Sequence, residues 1–164
     1  MNNDISGHAC KEMCIYAITV LKNQLFGIPD LKIPTKFTNR SSPLFVTWRI
    51  DDSLRGCIGT FSHKKLYEGI KEYALISALQ DTRFNPISKA EFPSLTCFIS
   101  ILTNFEDAQN WQDWTVGTHG IQISFRNERN REFSATFLPE VANENSEFSN
   151  KQRKIKSIYF SAFL

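Results

Sequence analysis

Cysteine is scarce in this chain of 164 residues, which carries four, at positions 10, 14, 57 and 97. Their spacing matches neither a disulfide framework nor the paired ligands of a structural zinc site. Cys10 and Cys14 would share one face of a helix, and with His8 they form a weak metal-ligand pattern that lacks its second pair. We therefore place both cysteines in a buried helix seam and predict no metal and no cofactor.

Long apolar runs and a strong net charge are also missing. No stretch approaches the length that spans a membrane, and charged residues are scattered through the first thirty positions, which excludes a signal-peptide core. The formal charge is +2, from 19 basic and 17 acidic residues. This balance makes nucleic acid the least favoured partner. We expect no membrane association and an intracellular location, in the nucleus, the cytoplasm or both.

Internal repeats, low-complexity tracts and linkers long enough to separate two domains are absent as well. With 41% hydrophobic residues and 14 phenylalanines, the chain has enough apolar material for one aromatic-rich core. The periodicities predict an α+β fold, a mostly antiparallel sheet built from hairpins and flanked by helices. The predicted elements are a helix at 4–25 ended by Gly27, a hairpin at 44–61, a helix at 64–80 with Ser62 as N-cap, a strand at 95–102, a short helix or turn at 105–114 and a second hairpin at 121–137.

The first hairpin, LFVTWRIDDSLRGCIGTF, is the most informative stretch. Its apolar residues alternate with polar ones, the period of a strand with one buried face, and Asp51, Asp52 and Ser53 form the turn. A shift of the strand pairing by one residue would turn Arg55 and Cys57 toward the core, so the apolar pattern selects one register. It pairs Trp48 with Gly56, Thr47 with Cys57, and Arg49 with Arg55.

The polar face of this hairpin is the candidate site. Arginines opposite each other on a sheet repel, so the pair at Arg49 and Arg55 indicates full solvation or an anionic partner. Cations near Cys57 would favour its thiolate, and Gly59 would leave space beside the sulfur for a ligand. The alternative remains open, because unpaired cysteines commonly behave as small buried hydrophobes.

Residues outside the hairpin offer weaker candidates. Asp81 and Arg83 follow the second helix and could line a pocket or pair with the hairpin arginines, or they could brace the turn as an ion pair with each other. A carboxylate at the negative end of a helix is unfavourable, which points to a specific partner for Asp81. His63 and His119 are conceivable bases, but neither belongs to a recognisable nucleophile motif, and a solvated turn position suits His119 better.

Several motifs occur in one order: LFVTW, LRGCIGTF, SALQDTRF, LTNFED, DWTVG with HGI, and ATFLPEVA. Over residues 37–142 the chain closely resembles the AMMECR domain family, in its animal-type form. The resemblance implies an α+β fold in two lobes, with the LRGCIG segment as functional site and no established reaction. Relatives in prokaryotes are associated with Memo-type and radical-SAM proteins, so these are partners by analogy only. The chain departs from the family pattern after Ala142, so we expect a domain at 1–142 and a divergent or truncated polar, basic tail at 143–164.

Three functional hypotheses follow. The first is a binding surface at the LRGCIG segment for an anionic small molecule or an acidic protein. The second is a cysteine-dependent enzyme or modification-system component that uses Cys57 as thiolate, assisted by Arg55. The third, nucleic-acid binding, fits the charge balance least. The predicted binding residues are Thr47, Arg49, Gly56, Gly59, Asp81 and Arg83.

Overall fold

The computed structural model describes residues 9–29, 36–107, 109, 113–115, 118–126, 129–138 and 158–163. It contains two α-helices and antiparallel sheets, which confirms the predicted α+β class. The chain divides into a first unit of residues 1–101 and a second unit of residues 102–164. Among the described residues, no helix combines the length and the hydropathy needed to cross a bilayer.

The first helix, α1, spans Lys11–Phe26. Cys10 has an extended backbone, with φ −129° and ψ 162°, so the helix begins later than the predicted residue 4. Residues 1–8, including His8, lie outside the described residues. The predicted end is confirmed, because Gly27 adopts φ 67° and donates its N–H to the Asn23 carbonyl. Glycine reaches this left-handed conformation without the steric cost that other residues incur.

The sheet of the first unit has the order β2-β1-β3, with β1 at Ser41–Ile50, β2 at Ser53–Lys65 and β3 at Leu95–Ile101. Both pairings are antiparallel. The turn between β1 and β2 consists of Asp51 and Asp52, since Ser53 already pairs with Ile50. Asp51 has φ 51°, a left-handed conformation that Asp tolerates better than most side chains.

The second helix, α2, spans Leu66–Leu79, and the prediction that Ser62 caps it was wrong. Strand β2 continues past Ser62 to Lys65. The α2 N-terminus is satisfied by residues distant in sequence. Leu66 donates its N–H to the Arg40 carbonyl at 3.0 Å, and Tyr67 donates its N–H to Oδ1 of Asn39 at 2.9 Å. Asn39 therefore supplies the side-chain cap that Ser62 was expected to supply.

The core of the first unit lies where α1 and α2 pack against the sheet. Trp48 is fully buried and donates its indole N–H to the Ala74 carbonyl of α2 at 3.1 Å. This places the even-numbered residues of β1 toward the helices, as the alternation predicted. The other fully buried hydrophobic side chains of this core cluster are Met13, Ala17, Leu21, Leu44, Val46, Leu66, Ile70 and Ala74.

The second unit holds a sheet of order β4-β7-β5-β6, with β4 at Glu106–Asp107, β5 at Gly120–Arg126, β6 at Glu132–Phe137 and β7 at Ile158–Phe163. Strands β5 and β6 form the predicted second hairpin. Within 105–114, where a helix or turn was predicted, Glu106 and Asp107 form a strand that pairs with β7. The basic part of the tail, at positions 151–156, lies outside the described residues. The boundary at residue 142 stays a prediction.

Candidate functional site at the β1–β2 hairpin

The observed hairpin register brings Thr47 opposite Cys57 and Trp48 opposite Gly56, as predicted. The predicted pairing of Arg49 with Arg55 is wrong, because Arg49 lies opposite Leu54. An irregularity after Trp48 inserts Arg55 as an extra residue of β2. Such a bulge re-aims a side chain, and here it removes the repulsion that two facing arginines would cause.

Gly56 lies beneath α2. A Cβ atom on Gly56 would come within 1.9 Å of the Ser77 carbonyl oxygen, a backbone atom of the helix. Gly56 is also buried. Because only glycine permits this approach of strand and helix, Gly56 sets the distance between β2 and α2 and offers no surface to a ligand.

Cys57 is held by three side chains from two segments, β1 and the loop after α2. Thr47 of β1 donates its hydroxyl hydrogen to Sγ of Cys57 at 3.2 Å. Cys57 donates its backbone N–H to Oδ2 of Asp81 at 3.0 Å, and its carbonyl accepts a hydrogen bond from Nη2 of Arg83 at 3.0 Å. Cys57 is partly exposed, whereas Thr47 is only 7% exposed. We call Thr47, Cys57, Asp81 and Arg83 the Cys57 cluster.

Within this cluster Asp81 and Arg83 form a two-pronged ion pair. Nε of Arg83 lies 2.9 Å from Oδ1 of Asp81, and Nη2 lies 2.6 Å from Oδ2. The hydrogen bonds from Arg83, helped by the backbone N–H of Cys57, lower the pKa of Asp81 from 3.8 to about 2 despite its burial. The same pairing raises the pKa of Arg83. Of the alternatives for these two residues, the structure contains the ion pair that braces the turn, and a role in lining a pocket stays a prediction.

Arg55 makes a second ion pair that sequence reasoning missed. Its Nε lies 2.7 Å from Oε1 of Glu91, and its Nη2 donates to the Asn85 carbonyl at 3.2 Å. Hydrogen bonds from Arg55 and then from Ser88 lower the pKa of Glu91 from 4.5 to about 2. The sequence did contain one signal for an ordered Glu91, because Ser88 precedes it by three residues, which is the spacing of a capping box. Glu91 does accept both the N–H and the hydroxyl hydrogen of Ser88.

Phe84 lies between the two ion pairs. The guanidinium carbon of Arg83 is 5.4 Å from the centre of its ring, and that of Arg55 is 5.9 Å away. These are cation–π distances. The ring thus joins the two pairs, and the positive charges of Arg55 and Arg83 each face an internal carboxylate.

A row of residues crosses the sheet on the face opposite the helices. Thr47 pairs with Cys57 on one side and with Phe98 of β3 on the other. Phe98 is 48% exposed, and the guanidinium carbon of Arg49 lies 6.0 Å from the centre of its ring. We call Cys57, Thr47, Phe98 and Arg49 the outer row. It combines a sulfur, an aromatic ring and a cation on one strip of the sheet.

The space predicted beside the sulfur at Gly59 is filled. A Cβ atom there would lie 2.2 Å from the Leu44 carbonyl oxygen and 2.4 Å from Cγ of Phe45. Phe45 in turn contacts Phe61 edge to face, with ring centres 5.5 Å apart. Gly59 therefore admits the Phe45 ring of the neighbouring strand and leaves no open space at its own position.

The two candidate histidines, His63 and His119, occupy an exposed strand position and a turn. His63 is exposed near the end of β2. His119, in the second unit, accepts the N–H of Thr115 at Nδ1, with a distance of 2.9 Å, which is the role of a turn residue. In the part of the chain that the structure describes, no three His, Cys, Asp or Glu side chains are grouped as metal ligands.

The amino-acid sequence of this chain is similar to those of known proteins. The chain is 45% identical over 139 residues to an uncharacterised protein of Arabidopsis thaliana, covering 81% of this chain and 64% of that relative. It is 41% identical over 154 residues to an uncharacterised protein of Kluyveromyces lactis, covering 79% and 68% of the two chains. The chain thus spans just under two thirds of the Arabidopsis relative.

The fold has a solved counterpart. The crystal structure of an uncharacterised protein from Pyrococcus horikoshii superposes with a TM-score of 0.73, at 22% identity, covering 92% of this chain and 86% of that one. The family model AMMECR1 matches residues 12–163, past the motifs that end at Ala142. The chain is a member of the AMMECR1 family.

Proposed function

We propose that the outer row is a ligand- or partner-binding surface and that the Cys57 cluster holds it in shape. The observation that carries this proposal is the fixing of the partly exposed Cys57, at its sulfur by Thr47 and at its backbone by Asp81 and Arg83. A cysteine needed only as filler would not require its backbone N–H and its carbonyl to be bound by an ion pair whose carboxylate is buried. Preorganised side chains and backbone are the usual basis of a specific site.

The chemistry of the outer row favours an acidic ligand with an apolar part. Arg55 and Arg83 are paired with Glu91 and Asp81, and Arg49 places its guanidinium group over the Phe98 ring. The exposed Phe98 ring beside it offers an apolar surface. An anionic small molecule, or an acidic side chain of a protein, would face Arg49 while its apolar part packs on Phe98. An intracellular location, nuclear or cytoplasmic, belongs to the same proposal.

The experiment is a screen of aromatic carboxylates and phosphate esters by NMR on the full chain. We expect binding to shift the amide signals of Cys57, Arg49 and Phe98 together. Arg49→Ala and Phe98→Ala should weaken binding. The control Phe133→Ala, which removes a ring of similar exposure (45%) from the second unit, should leave it unchanged. Binding that maps to other residues, or that survives both outer-row variants, would refute the proposal.

A second candidate function is thiolate chemistry at Cys57. It is favoured by the Thr47 hydroxyl, which donates to the sulfur, because such a bond stabilises the negatively charged form that acts as nucleophile. Arg55, expected to assist, is bound to Glu91 instead. The test is the alkylation rate of each cysteine by iodoacetamide, read from separate peptides. A Cys57 that reacts no faster than the buried Cys97 would exclude this candidate.

A further inference from the structure

Strand β2 lies at the edge of the first unit's sheet, and β1 is its only neighbour among the described strands. The middle of β2, LRGCIGTF, holds one charged residue and no proline. An uncovered edge strand of this composition is a template on which a further strand can pair. The residues that cover the edge of β2 therefore decide whether the sheet ends there.

Cys57 directs both of its backbone hydrogen-bonding groups away from β1. In an antiparallel pair, each residue turns its N–H and its carbonyl either both toward the partner strand or both away from it. The N–H of Cys57 is bound by Oδ2 of Asp81 and its carbonyl by Nη2 of Arg83, each at 3.0 Å. Although Cys57 lies opposite Thr47 in the register, its backbone groups thus face the edge of the sheet.

The Asp81–Arg83 pair reproduces the hydrogen bonds of a neighbouring strand. A strand residue facing Cys57 would offer one carbonyl to its N–H and one N–H to its carbonyl. The Asp81 carboxylate occupies the place of that carbonyl, and the Arg83 guanidinium occupies the place of that N–H. Since Nη2 of Arg83 also lies 2.6 Å from Oδ2 of Asp81, the three residues close a ring of hydrogen bonds. Because side chains present no further row of backbone groups, the sheet ends at this ring.

The segment 81–91, which carries the pair, is itself fixed beside β2. Arg55 donates to Oε1 of Glu91 at 2.7 Å and to the Asn85 carbonyl at 3.2 Å. Ile87, which is 2% exposed, donates its N–H to a carbonyl of α2 at 2.9 Å. All residues of this segment are described, and none of them belongs to a strand. The segment therefore covers the edge without presenting a new one.

A second feature interrupts the edge further along β2. Residues 61–63 are irregular, because these three residues face the single Pro43 of β1. Ser62 and His63 are exposed in this stretch. Irregular pairing of this kind resists the addition of a strand. By the alternation of the ladder, only Gly59 then directs its backbone groups outward between the ring and the irregular stretch.

We propose that the Asp81–Arg83 pair takes the place of a neighbouring strand at Cys57 and so prevents a second copy of the chain from adding to β2. Two copies related by a two-fold axis beside Cys57 would present their β2 strands to each other in antiparallel orientation. The Cys57 N–H of each copy would then bond the Cys57 carbonyl of the other. These are the groups that Asp81 and Arg83 occupy, so the ion pair and the second copy compete for the same donor and acceptor.

The test compares the self-association of the reduced wild-type chain with that of the double variant Asp81→Ala/Arg83→Ala, by light scattering over a range of concentrations. We expect the double variant to dimerise at least about tenfold more tightly, because two backbone hydrogen bonds become available to each dimer. Hydrogen exchange should show protection of residues 54–61 in this dimer. The control Asn39→Ala weakens the cap of α2 without altering the edge, and it should associate as the wild type does.

A folded double variant that associates no more than the wild type would overturn the proposal. Association equal to that of Asn39→Ala, or protection outside residues 54–61, would overturn it as well. If the double variant does not fold, amide exchange of the wild-type chain decides, measured by NMR. The Cys57 amide should exchange at least about tenfold more slowly than the outward Gly59 amide, and equal rates would refute the closed edge. Neither measurement needs a ligand, so both are independent of binding at the outer row.

Discussion

Asp81 accepts the backbone N–H of Cys57 at 3.0 Å although the two residues are 24 positions apart. The same carboxylate accepts two hydrogen bonds from the Arg83 side chain. One buried group therefore fixes both the loop after α2 and the middle of β2. Loss of its charge should disturb the hairpin more than the loss of an exposed charge would.

The first prediction concerns this carboxylate. Asp81→Asn should lower the free energy of unfolding by about 1–3 kcal/mol, because a charged hydrogen-bond acceptor is replaced by an amide that satisfies Arg83 and Cys57 less well. Denaturant titration measures the change. The control Asp52→Asn alters an exposed carboxylate in the hairpin turn and should stay within about 0.5 kcal/mol. Equal effects of the two substitutions would contradict the role given to Asp81.

The second prediction concerns pH. Asp81 and Glu91 have pKa values of about 2 in the folded chain, below their ordinary values of 3.8 and 4.5. A group whose pKa is depressed on folding stabilises the folded state above its unfolded pKa, and this contribution is lost as the pH falls through the folded pKa. Stability should therefore decrease from about pH 5 down to about pH 2. The slope should be shallower in Asp81→Asn, as measured by thermal unfolding at each pH.

The third prediction compares two glycines. Gly56→Ala should destabilise the chain by about 1–3 kcal/mol, because the new methyl group would overlap the backbone of Ser77 in α2. Gly69→Ala should cost much less, since its Cβ would meet side-chain atoms and no backbone, Cδ2 of Leu44 at 2.7 Å and Cβ of Lys64 at 3.4 Å, and alanine favours the helix. Chemical denaturation of both variants measures the difference. A smaller loss of stability in Gly56→Ala than in Gly69→Ala would contradict the close approach of β2 and α2.

The fourth prediction concerns the cap of α2. Asn39→Ala should reduce stability by about 1 kcal/mol, because it leaves the N–H of Tyr67 without its side-chain acceptor. Asn39→Asp keeps an acceptor at the positive end of the helix and should restore most of the loss. Ser62→Ala serves as the comparison, since Ser62 is exposed and precedes the helix. A larger loss in Ser62→Ala would favour the original sequence-based cap.

The fifth prediction concerns reactivity at Cys57. Thr47→Val removes the hydroxyl that donates to the sulfur and should slow iodoacetamide labelling of Cys57 by up to about tenfold, since a hydrogen bond to a charged group contributes about 1.5 kcal/mol. Thr47→Ser keeps the hydroxyl and should label at nearly the wild-type rate. Labelling must be resolved by peptide, because Cys14, with its pKa of about 7, reacts in the same range. Indifference of Cys57 to both substitutions would remove the case for a tuned thiolate.

Much of the hairpin could be predicted because apolar alternation fixes which residues face the core. Trp48 and Gly56 met opposite each other as the pattern required. Arg55 was misplaced because a bulge depends on which side-chain contacts it gains, here with Glu91, a residue 36 positions away. The start of α2 was misplaced for the same reason, since its cap comes from Asn39 and not from a neighbour.

The candidate site shows the same division between local and distant information. Sequence motifs identified Cys57 and Asp81, but spacing alone did not reveal that one binds the backbone of the other. The row formed by Cys57, Thr47 and Phe98 depends on the pairing of β1 with β3, strands separated by a whole helix. The prediction of open space at Gly59 was wrong because the Phe45 ring of the adjacent strand fills it.

The bond from Cys57 to Asp81 has a mechanical consequence. The carboxylate of Asp81 lies two residues after the end of α2 and accepts the backbone N–H of Cys57. A shift of α2 along its axis would therefore also displace Cys57. The position of Cys57 on one face of the sheet is thereby coupled to the position of the helix that packs on the other face.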